Sequence, residues 1–272
     1  MNSLQKTEFE ILRCFTKICE KLGIKYFLVC GSALGAVKYK GFIPWDDDID
    51  VALYRADYEK FIIEAPKLLP SNLFLQNYKS EHGFPCIYSK LRNSDTAFIE
   101  RSAAKLNINH GINIDIFPLD NYPDNSKEAK IFELKKTVYK RLLSTAYEPD
   151  SKWKMLFILP LRILNIHKKS DKIIKKYEKL ITSYNTCNTD IIANHGNWQG
   201  KLDYSPREIF ADGTMAEFEG IEVIIPYKYD EYLRQKYGDY HIDPPLSQQK
   251  SHHNCAVIDC ENSYKKYIGD NV

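Results

Sequence analysis

The stretch that most constrains this chain is residues 43–53, IPWDDDIDVAL, where four aspartates fall within five positions directly before strand-forming residues. Side chains two apart in a strand share a face and lie about 6.5 Å from each other. Asp46, Asp48 and Asp50 are therefore predicted to project together, while Asp47 points away. Two bare carboxylates at that distance repel by roughly 2.5 kcal/mol at an effective dielectric near 20. A hard cation removes this cost, which predicts Mg²⁺ or Mn²⁺ here. The alternative is a solvated acidic turn.

A Gly-Ser pair precedes the acids. Gly31 and Ser32 follow residues 26–30 (YFLVC), which predict a strand, and precede a predicted helical turn over residues 33–38. A glycine lets main-chain N–H groups approach an anion closely, and a helix N-terminus adds positive potential. We therefore predict that Gly31 and Ser32 contact a phosphate beside the acidic strand.

Asp115 supplies a further carboxylate. It lies among apolar residues in the segment 112–117 (INIDIF), which predicts a third strand. Carboxylates on two strands suit a two-metal phosphoryl-transfer site. We therefore predict a metal site formed by Asp46, Asp48, Asp50 and Asp115, in which Asp48, Asp50 and Asp115 are catalytic.

Composition excludes several classes of protein. The 272 residues suffice for one large domain, and 38 basic residues against 36 acidic ones give no overall charge that predicts a polyanion partner. No basic stripe with interleaved aromatic residues predicts nucleic-acid binding. The seven cysteines are odd in number and typical of reduced thiols. The longest apolar run, residues 155–161, is too short to span a bilayer. We expect a soluble, cytoplasmic protein.

Hydrophobic periodicity predicts an α+β fold, with a mixed sheet core flanked by helices and a helical insertion. Helices are predicted over residues 4–22, 58–69, 126–147, 152–166, 170–184 and 229–237, strands over residues 26–30, 49–53, 112–117 and 221–225, a hairpin over residues 86–92 and 96–100, and a loop-like tail. These elements predict a single domain with a metal-binding core at about 22–120, an insertion at about 124–190, and a C-terminal part at about 200–272.

Several of these segments, taken in order, resemble a known family. Residues 31–53 (GSALGAVKYKGFIPWDDDIDVAL) resemble the signature of the LicD/fukutin-type phosphotransferases, which share the nucleotidyltransferase fold. The resemblance continues with residues 113–120 (NIDIFPLD) and spans the chain from about residue 23 to residue 253. Its C-terminal pattern comprises Tyr232-Leu233, Tyr237 to Tyr240 (YGDY), Pro244-Pro245 and His252-His253.

The resemblance implies a divalent-metal enzyme. Such an enzyme moves a phosphorylated alcohol, such as phosphocholine, glycerol phosphate or ribitol phosphate, from a CDP-linked donor to a sugar hydroxyl of a surface glycan or lipid-linked glycan. Carried over residue by residue, the resemblance implies that Asp46, Asp48 and Asp50 form the metal strand, Asp115 is the third acid, and Gly31-Ser32 is the phosphate contact.

Basic side chains are expected to contact the donor phosphates. Lys90 and Arg92 are two apart on one strand face, and Lys38 and Lys40 follow the Gly-Ser pair. Lys38 stands where the family often has Arg, so a single ammonium replaces a bidentate guanidinium there. The alternative for Lys90 and Arg92 is a solvated strand face.

His252 and His253 end the family pattern and are expected to fold back towards the acids as a phosphate or acceptor contact. With Cys255 and Cys260 they also hint at zinc, but a second ligand pair of the usual spacing is missing. The other histidines considered, His110, His195 and His241, are expected in loops or on the surface.

Two further alternatives stay open. Residues 152–179 contain nine Lys or Arg and two acids around an apolar run, which is typical either of a helix in an anionic membrane interface or of a helix packed on the core with a solvated basic face. The acidic strand also suits a nucleotidyltransferase that acts on an NTP with release of pyrophosphate. A non-catalytic glycan assembly protein with the same fold is the alternative outside enzymes.

Overall fold

The computed structural model describes residues 1–149, 152–197, 199–251 and 253–268. The helices are α1 Ser3–Leu22, α2 Cys30–Tyr39, α3 Arg55–Glu64, α4 Ser126–Ser144, α5 Lys152–Ile163, α6 Ser170–Ile181, α7 Arg207–Phe210 and α8 Tyr229–Tyr237. The strands are β1 Phe27–Leu28, β2 Asp50–Tyr54, β3 Leu73–Gln76, β4 Ser89–Asn93, β5 Ala97–Glu100, β6 Ile112–Tyr122, β7 Ile191–Asn194, β8 Tyr204–Pro206, β9 Thr214–Phe218, β10 Ile221–Ile225 and β11 Cys255–Asp259. This mixture confirms the predicted α+β class.

Seven of the described strands form one mixed sheet. Its order is β1-β2-β6-β4-β3, and the second half of the long strand β6 pairs with β7, which pairs with β8. Strands β2 and β6 run parallel, whereas β4 runs antiparallel to β6. In this register Asp50 lies opposite Asp115, and Asp115 lies opposite Lys90. The centre of the sheet therefore brings three charged residues together.

Helix α1 covers one side of the sheet and confirms the predicted helix. Its buried stripe includes Leu12, Phe15 and Ile18, and it packs across β6 and β4. Asn2 caps the helix N-terminus through a capping box with Gln5. At the other end Gly23 adopts φ 61°, the left-handed conformation that the predicted stop requires.

Helices α4 and α6 lie within the predicted insertion and pack on each other. Their apolar side chains, among them Phe132, Ile174 and Tyr177, form a second core against Tyr122 of β6 and Ala193 of β7. Each helix ends about three residues before its predicted C-terminus. The division of the chain into three parts of a single domain stays a prediction.

The predicted hairpin between residues 86–92 and 96–100 is wrong. A turn does form there, where Thr96 N donates to Asn93 O at 3.2 Å. The two strands nevertheless diverge, because β3 and β6 occupy both edges of β4, and β5 pairs with β11 instead. Strand β11 lies in the C-terminal segment that the sequence predicted to be loop-like. No described helix is both long and apolar enough to cross a membrane.

Candidate active site

The loop between α2 and β2 carries the aspartates, and α1 holds this loop in place. The buried side chain of Gln5 donates through Nε2 to the main-chain oxygens of Asp46 at 3.0 Å and Ile43 at 3.4 Å. Within the loop, Asp46 N donates to Ile43 O at 3.0 Å. A buried amide on a helix thus fixes the start of the acidic segment.

Asp46, Asp47 and Asp48 each place a carboxylate oxygen within 4.8 Å of the other two. They precede β2, which begins at Asp50, so the alternation of a strand does not apply to them. The prediction that Asp47 points away is therefore wrong, and its carboxylate belongs to the same cluster.

The remaining predicted acids lie next to this cluster. Asp50 and Asp115 are neighbours on the parallel strands β2 and β6. Asp46, Asp48 and Asp50 line one cavity of about 320 Å³, which we call the aspartate pocket. A narrow cleft is lined by Asp47, Asp48 and Asp115. The structure thus brings the four predicted metal ligands together, while their binding of a cation stays a prediction.

Burial and mutual repulsion make these carboxyls hard to ionise. Burial, followed by the charges of Asp48 and Asp47, raises the pKa of Asp46 to about 8. Burial also raises the pKa of Asp48 and, together with the charge of Asp48, raises the pKa of Asp50 well above its usual range. A divalent cation bound by these oxygens offsets the repulsion between the carboxylates and favours their ionised form, so the donor set fits Mg²⁺ or Mn²⁺.

Gly31 leaves the space that the acids occupy. A Cβ at this position would lie 2.5 Å from Asp46 Oδ2, closer than real contacts allow. Gly31 and Ser32 lie in the first turn of α2, which begins at Cys30 rather than at residue 33 as predicted. The buried Ser32 accepts a hydrogen bond through Oγ from Asp50 N at 2.8 Å. Ser32 therefore positions the acidic strand, and contact of this pair with a phosphate stays a prediction.

Lys38 does not line the aspartate pocket. Its Nζ donates to Asp243 Oδ1 at 2.6 Å and to Tyr240 O at 3.0 Å. Lys38 lines a neighbouring cavity of about 390 Å³, which we call the aromatic cavity. Trp45 and Tyr237 form part of the wall of both cavities, so Lys38 lies one cavity away from the acids.

Lys90 reaches the acids, but Arg92 does not. Lys90 Nζ donates to Asp115 Oδ1 at 2.7 Å, and Asn113 Nδ2 donates to the same oxygen at 2.7 Å. Arg92 is buried, and its guanidinium donates to Gly111 O at 2.6 Å and Asn113 Oδ1 at 2.8 Å. Arg92 therefore braces strands β4 and β6 instead of lining the aspartate pocket.

His253 comes from the C-terminal segment and lines the aspartate pocket. Its Nδ1 lies 3.1 Å from Asp47 Oδ1, and Ser251 Oγ donates to the other oxygen of Asp47. Burial opposes the imidazolium, but the hydrogen bond to Asp47 and the charges of Asp48 and Asp47 outweigh it and raise the pKa of His253 to about 9. The predicted contact His252 lies outside the described residues.

Glu8 is a further acid that the sequence interpretation missed. It lies on the buried face of α1 and lines the narrow cleft with Asp48 and Asp115. Its Oε2 has no hydrogen-bond partner among the described residues, and burial followed by the charge of Asp48 raises its pKa well above the usual range. The signal was an acid within the apolar stripe of an amphipathic helix.

Comparisons with known proteins identify the family of this chain. The family model for the LicD/FKTN/FKRP nucleotidyltransferase domain matches residues 23–170, which include the acidic segment and Asp115. The lipopolysaccharide cholinephosphotransferase LicD of Haemophilus influenzae is 29% identical over 258 residues, covering 89% of this chain and 92% of that relative. The ribitol 5-phosphate transferase FKRP of Mus musculus and of Homo sapiens is 40% identical over 48 residues, covering 18% of this chain and 10% of that relative.

The family match covers more than half of the 272 residues. The chain therefore belongs to the LicD/FKTN/FKRP family and is a LicD-type phosphotransferase.

Proposed function

We propose that this enzyme transfers a phosphorylated alcohol from a CDP-linked donor to a sugar hydroxyl of a cell-surface glycan, in a reaction that depends on a divalent metal. The alcohol phosphate is phosphocholine, glycerol phosphate or ribitol phosphate. The observation that carries the proposal is the convergence of Asp46, Asp48 and Asp50 on one pocket with Asp115 beside them. The names of the relatives, a cholinephosphotransferase and a ribitol 5-phosphate transferase, support an alcohol phosphate as the transferred group.

We assign the cation to Asp46, Asp48 and Asp50, with Asp115 as the ligand on the neighbouring strand. Three observations support this fit: carboxylate oxygens of Asp46 and Asp48 lie within 4.8 Å of each other, the pKa of Asp46 is raised, and Gly31 has no Cβ. When bound there, Mg²⁺ or Mn²⁺ supplies Lewis-acid stabilisation to the oxygens of the donor diphosphate.

The side chains of this chain then do the placing and the proton transfer. Lys90 and Asn113 both donate to Oδ1 of Asp115, which fixes the orientation of this carboxylate. The acceptor oxygen bonds to the phosphorus of the alcohol phosphate, the bond from that phosphorus to the CMP oxygen breaks, and we assign the acceptor proton to Asp115 Oδ2. We assign contact with a donor phosphate to His253, which is held by Asp47. Such transfer is catalysed mainly by positioning and charge stabilisation.

The direct test is turnover of CDP-choline, CDP-glycerol and CDP-ribitol with Mg²⁺ and a surface-glycan acceptor, followed by detection of CMP. We expect Asp48→Asn and Asp50→Asn to lower turnover on the order of 100-fold or more, because each removes a ligand of the cation. Asp95→Asn is the matched control, since Asp95 is an exposed acid in the turn after β4. Full turnover by Asp48→Asn with an intact fold contradicts the proposal.

The same assay separates the two alternatives. An NTP-dependent nucleotidyltransferase releases pyrophosphate from CTP or ATP and does not release CMP from the CDP-alcohols. A non-catalytic glycan assembly protein does neither and shows no binding of Mg²⁺ in calorimetry. The convergence of Asp46, Asp48 and Asp50 on one pocket, with Asp115 on the neighbouring strand, favours the transfer reaction over the assembly role.

We also propose that α5 lies on an anionic membrane surface, which suits a lipid-linked acceptor and a cytoplasmic location at the inner membrane face. Trp153, Leu156, Leu159 and Ile163 follow one face of this helix at spacings of three or four residues and are all exposed, Trp153 to 75%. Exposed lysines follow at Lys168, Lys169, Lys172, Lys175, Lys176 and Lys179.

Flotation with liposomes tests this contact. We expect binding to vesicles that contain phosphatidylglycerol, weaker binding to neutral phosphatidylcholine vesicles, and loss of binding in the double variant Trp153→Ser, Leu156→Ser. Val138→Ser, at an exposed apolar position on α4, is the matched control. Equal flotation of the double variant and the wild type contradicts the membrane contact.

A further inference from the structure

A cavity of about 300 Å³ lies between the helices of the insertion and the central sheet, apart from the aspartate pocket. We call it the insertion chamber. Its walls include the aromatic side chains of Tyr88, Tyr147 and Tyr177 and the polar side chains of Glu100 and Ser144. Its volume is at the lower end of the range for small-ligand sites, and its mixture of apolar walls with a few polar groups is typical of them.

His195 provides the observation that points to a ligand. This residue lines the insertion chamber and is only 1% exposed, yet neither ring nitrogen has a hydrogen-bond partner among the described residues. Buried polar atoms that are left unpaired destabilise a fold, so such atoms normally have a partner. Burial, followed by the charges of Lys136 and Lys140, lowers the pKa of His195 well below its usual range. The imidazole is therefore neutral and offers one donor and one acceptor.

The insertion chamber adjoins the acids. Lys90 lines the chamber and donates to Asp115. His195 and Gly196 line the chamber, whereas Asn197, the next residue along the chain, lines the aspartate pocket. A ligand in the chamber is thus one side chain away from the reacting groups.

The chemistry of the walls favours a sugar over a phosphate. The cations among the lining residues already have partners: Lys90 bonds to Asp115, Arg92 to Gly111 O and Asn113, and Lys140 to Asn197 O. Aromatic faces pack against the C–H surface of a sugar ring, while neutral donors and acceptors bind its hydroxyls. The aromatic cavity suits the nucleoside of the donor better than the insertion chamber does, because it shares Trp45 and Tyr237 with the aspartate pocket.

We propose that the insertion chamber binds the terminal sugar of the acceptor glycan, and that the imidazole of His195 bonds to one of its hydroxyls. The inference rests on the proposed function, because it names the subsite of the second substrate. It makes the insertion helices, together with the loop after β7, the part of the fold that selects the acceptor.

The experiment uses oligosaccharides released from the surface glycan of cells that lack this protein. We expect His195→Phe to raise KM for this acceptor about tenfold or more, the cost of about one lost hydrogen bond. KM for the CDP-alcohol and its acceptor-independent hydrolysis stay unchanged. His195→Gln, which keeps a donor and an acceptor, restores part of the effect. His110→Gln is the matched control, since His110 is a buried histidine whose Nε2 lies 2.9 Å from Leu106 O.

A second variant guards against an effect on folding alone. Ser144→Leu adds volume to the half-buried chamber wall without removing a buried contact, and we expect the same rise in acceptor KM. The inference is overturned if His195→Phe and Ser144→Leu leave acceptor KM unchanged, if they raise KM for the donor instead, or if His110→Gln has the same effect as His195→Phe.

Binding measured without catalysis separates this inference from the proposed function. Saturation-transfer NMR detects the same oligosaccharides on the full chain whether or not CDP-alcohols are turned over. If the wild type binds the oligosaccharide and His195→Phe does not, the result supports sugar binding in the insertion chamber even if the transfer reaction is not observed. If the wild-type protein does not bind the oligosaccharide, the insertion chamber is not the acceptor site. Release of CMP then tests the proposed function separately.

Discussion

Binding of Mg²⁺ should weaken about 50-fold between pH 8 and pH 6, because the cation must displace a proton from Asp46. Burial and the charges of Asp48 and Asp47 raise the pKa of this carboxyl to about 8. A carboxyl with a raised pKa is neutral below that value, so at pH 6 it is protonated in roughly 99% of molecules. The carboxyl is already half protonated at pH 8, so metal affinity falls about fivefold from pH 8 to pH 7 and about ninefold from pH 7 to pH 6, together about 2.3 kcal/mol.

Calorimetric titrations with Mg²⁺ at about pH 6, 7 and 8 measure this slope directly. Repeating them in buffers with different ionisation enthalpies counts the protons released. The pKa of His253 is raised to about 9 by the acids, so a cation among them also releases protons from this imidazole. His253→Gln removes that contribution and leaves Asp46, while Asp95→Asn, a change at an exposed acid, is the matched control. Affinity that varies less than about threefold from pH 6 to pH 8 in His253→Gln refutes the reasoning.

Three further predictions concern the surroundings of the acids. Gly31→Ala is expected to lower Mg²⁺ affinity about tenfold or more in calorimetry, since its Cβ would lie 2.5 Å from Asp46 Oδ2; unchanged affinity contradicts this. Asp120→Ala should cost about 1.5–3 kcal/mol in urea unfolding, because it removes two hydrogen bonds (2.6 and 2.7 Å) to the mostly buried guanidinium of Arg55, which keeps Glu59 at 3.2 Å and Glu178 at 3.9 Å; a loss below about 0.5 kcal/mol argues against it. Glu8→Gln should stabilise the metal-free protein at pH 8 but not at pH 4, because an acid with a raised folded pKa costs stability as pH rises; equal thermal midpoints at pH 8 refute this.

The regular parts of the fold could be predicted because local patterns determine them. Helix α1 follows its apolar stripe and stops at Gly23, and β10 and α8 have the predicted bounds. The pairing of β5 with β11 could not be predicted, because the partners are more than 150 positions apart and the turn at residues 93–96 fits a hairpin equally well. Which strands pair depends on which of them occupy the hydrogen-bonding edges of a neighbouring strand, and a single sequence does not reveal this.

The residues of the candidate site also fall into those that the sequence pattern indicates and those that it does not. Asp48, Asp50 and Asp115 could be found from their spacing and from the apolar residues around them. Glu8 and His195 could not, because their importance comes from burial beside residues distant in the chain. His195 lies in the turn after β7, as the loop prediction has it, but it is buried rather than on the surface, because its ring packs against Phe132 of α4.

The arrangement of the acids around a cation is tested most directly by anomalous diffraction from crystals soaked with Mn²⁺ and CDP. We predict a manganese peak in the aspartate pocket, in contact with carboxylates of Asp46, Asp48 or Asp50 and with the diphosphate. Crystals that bind CDP with no manganese at these side chains, or with the diphosphate remote from them, would contradict the account.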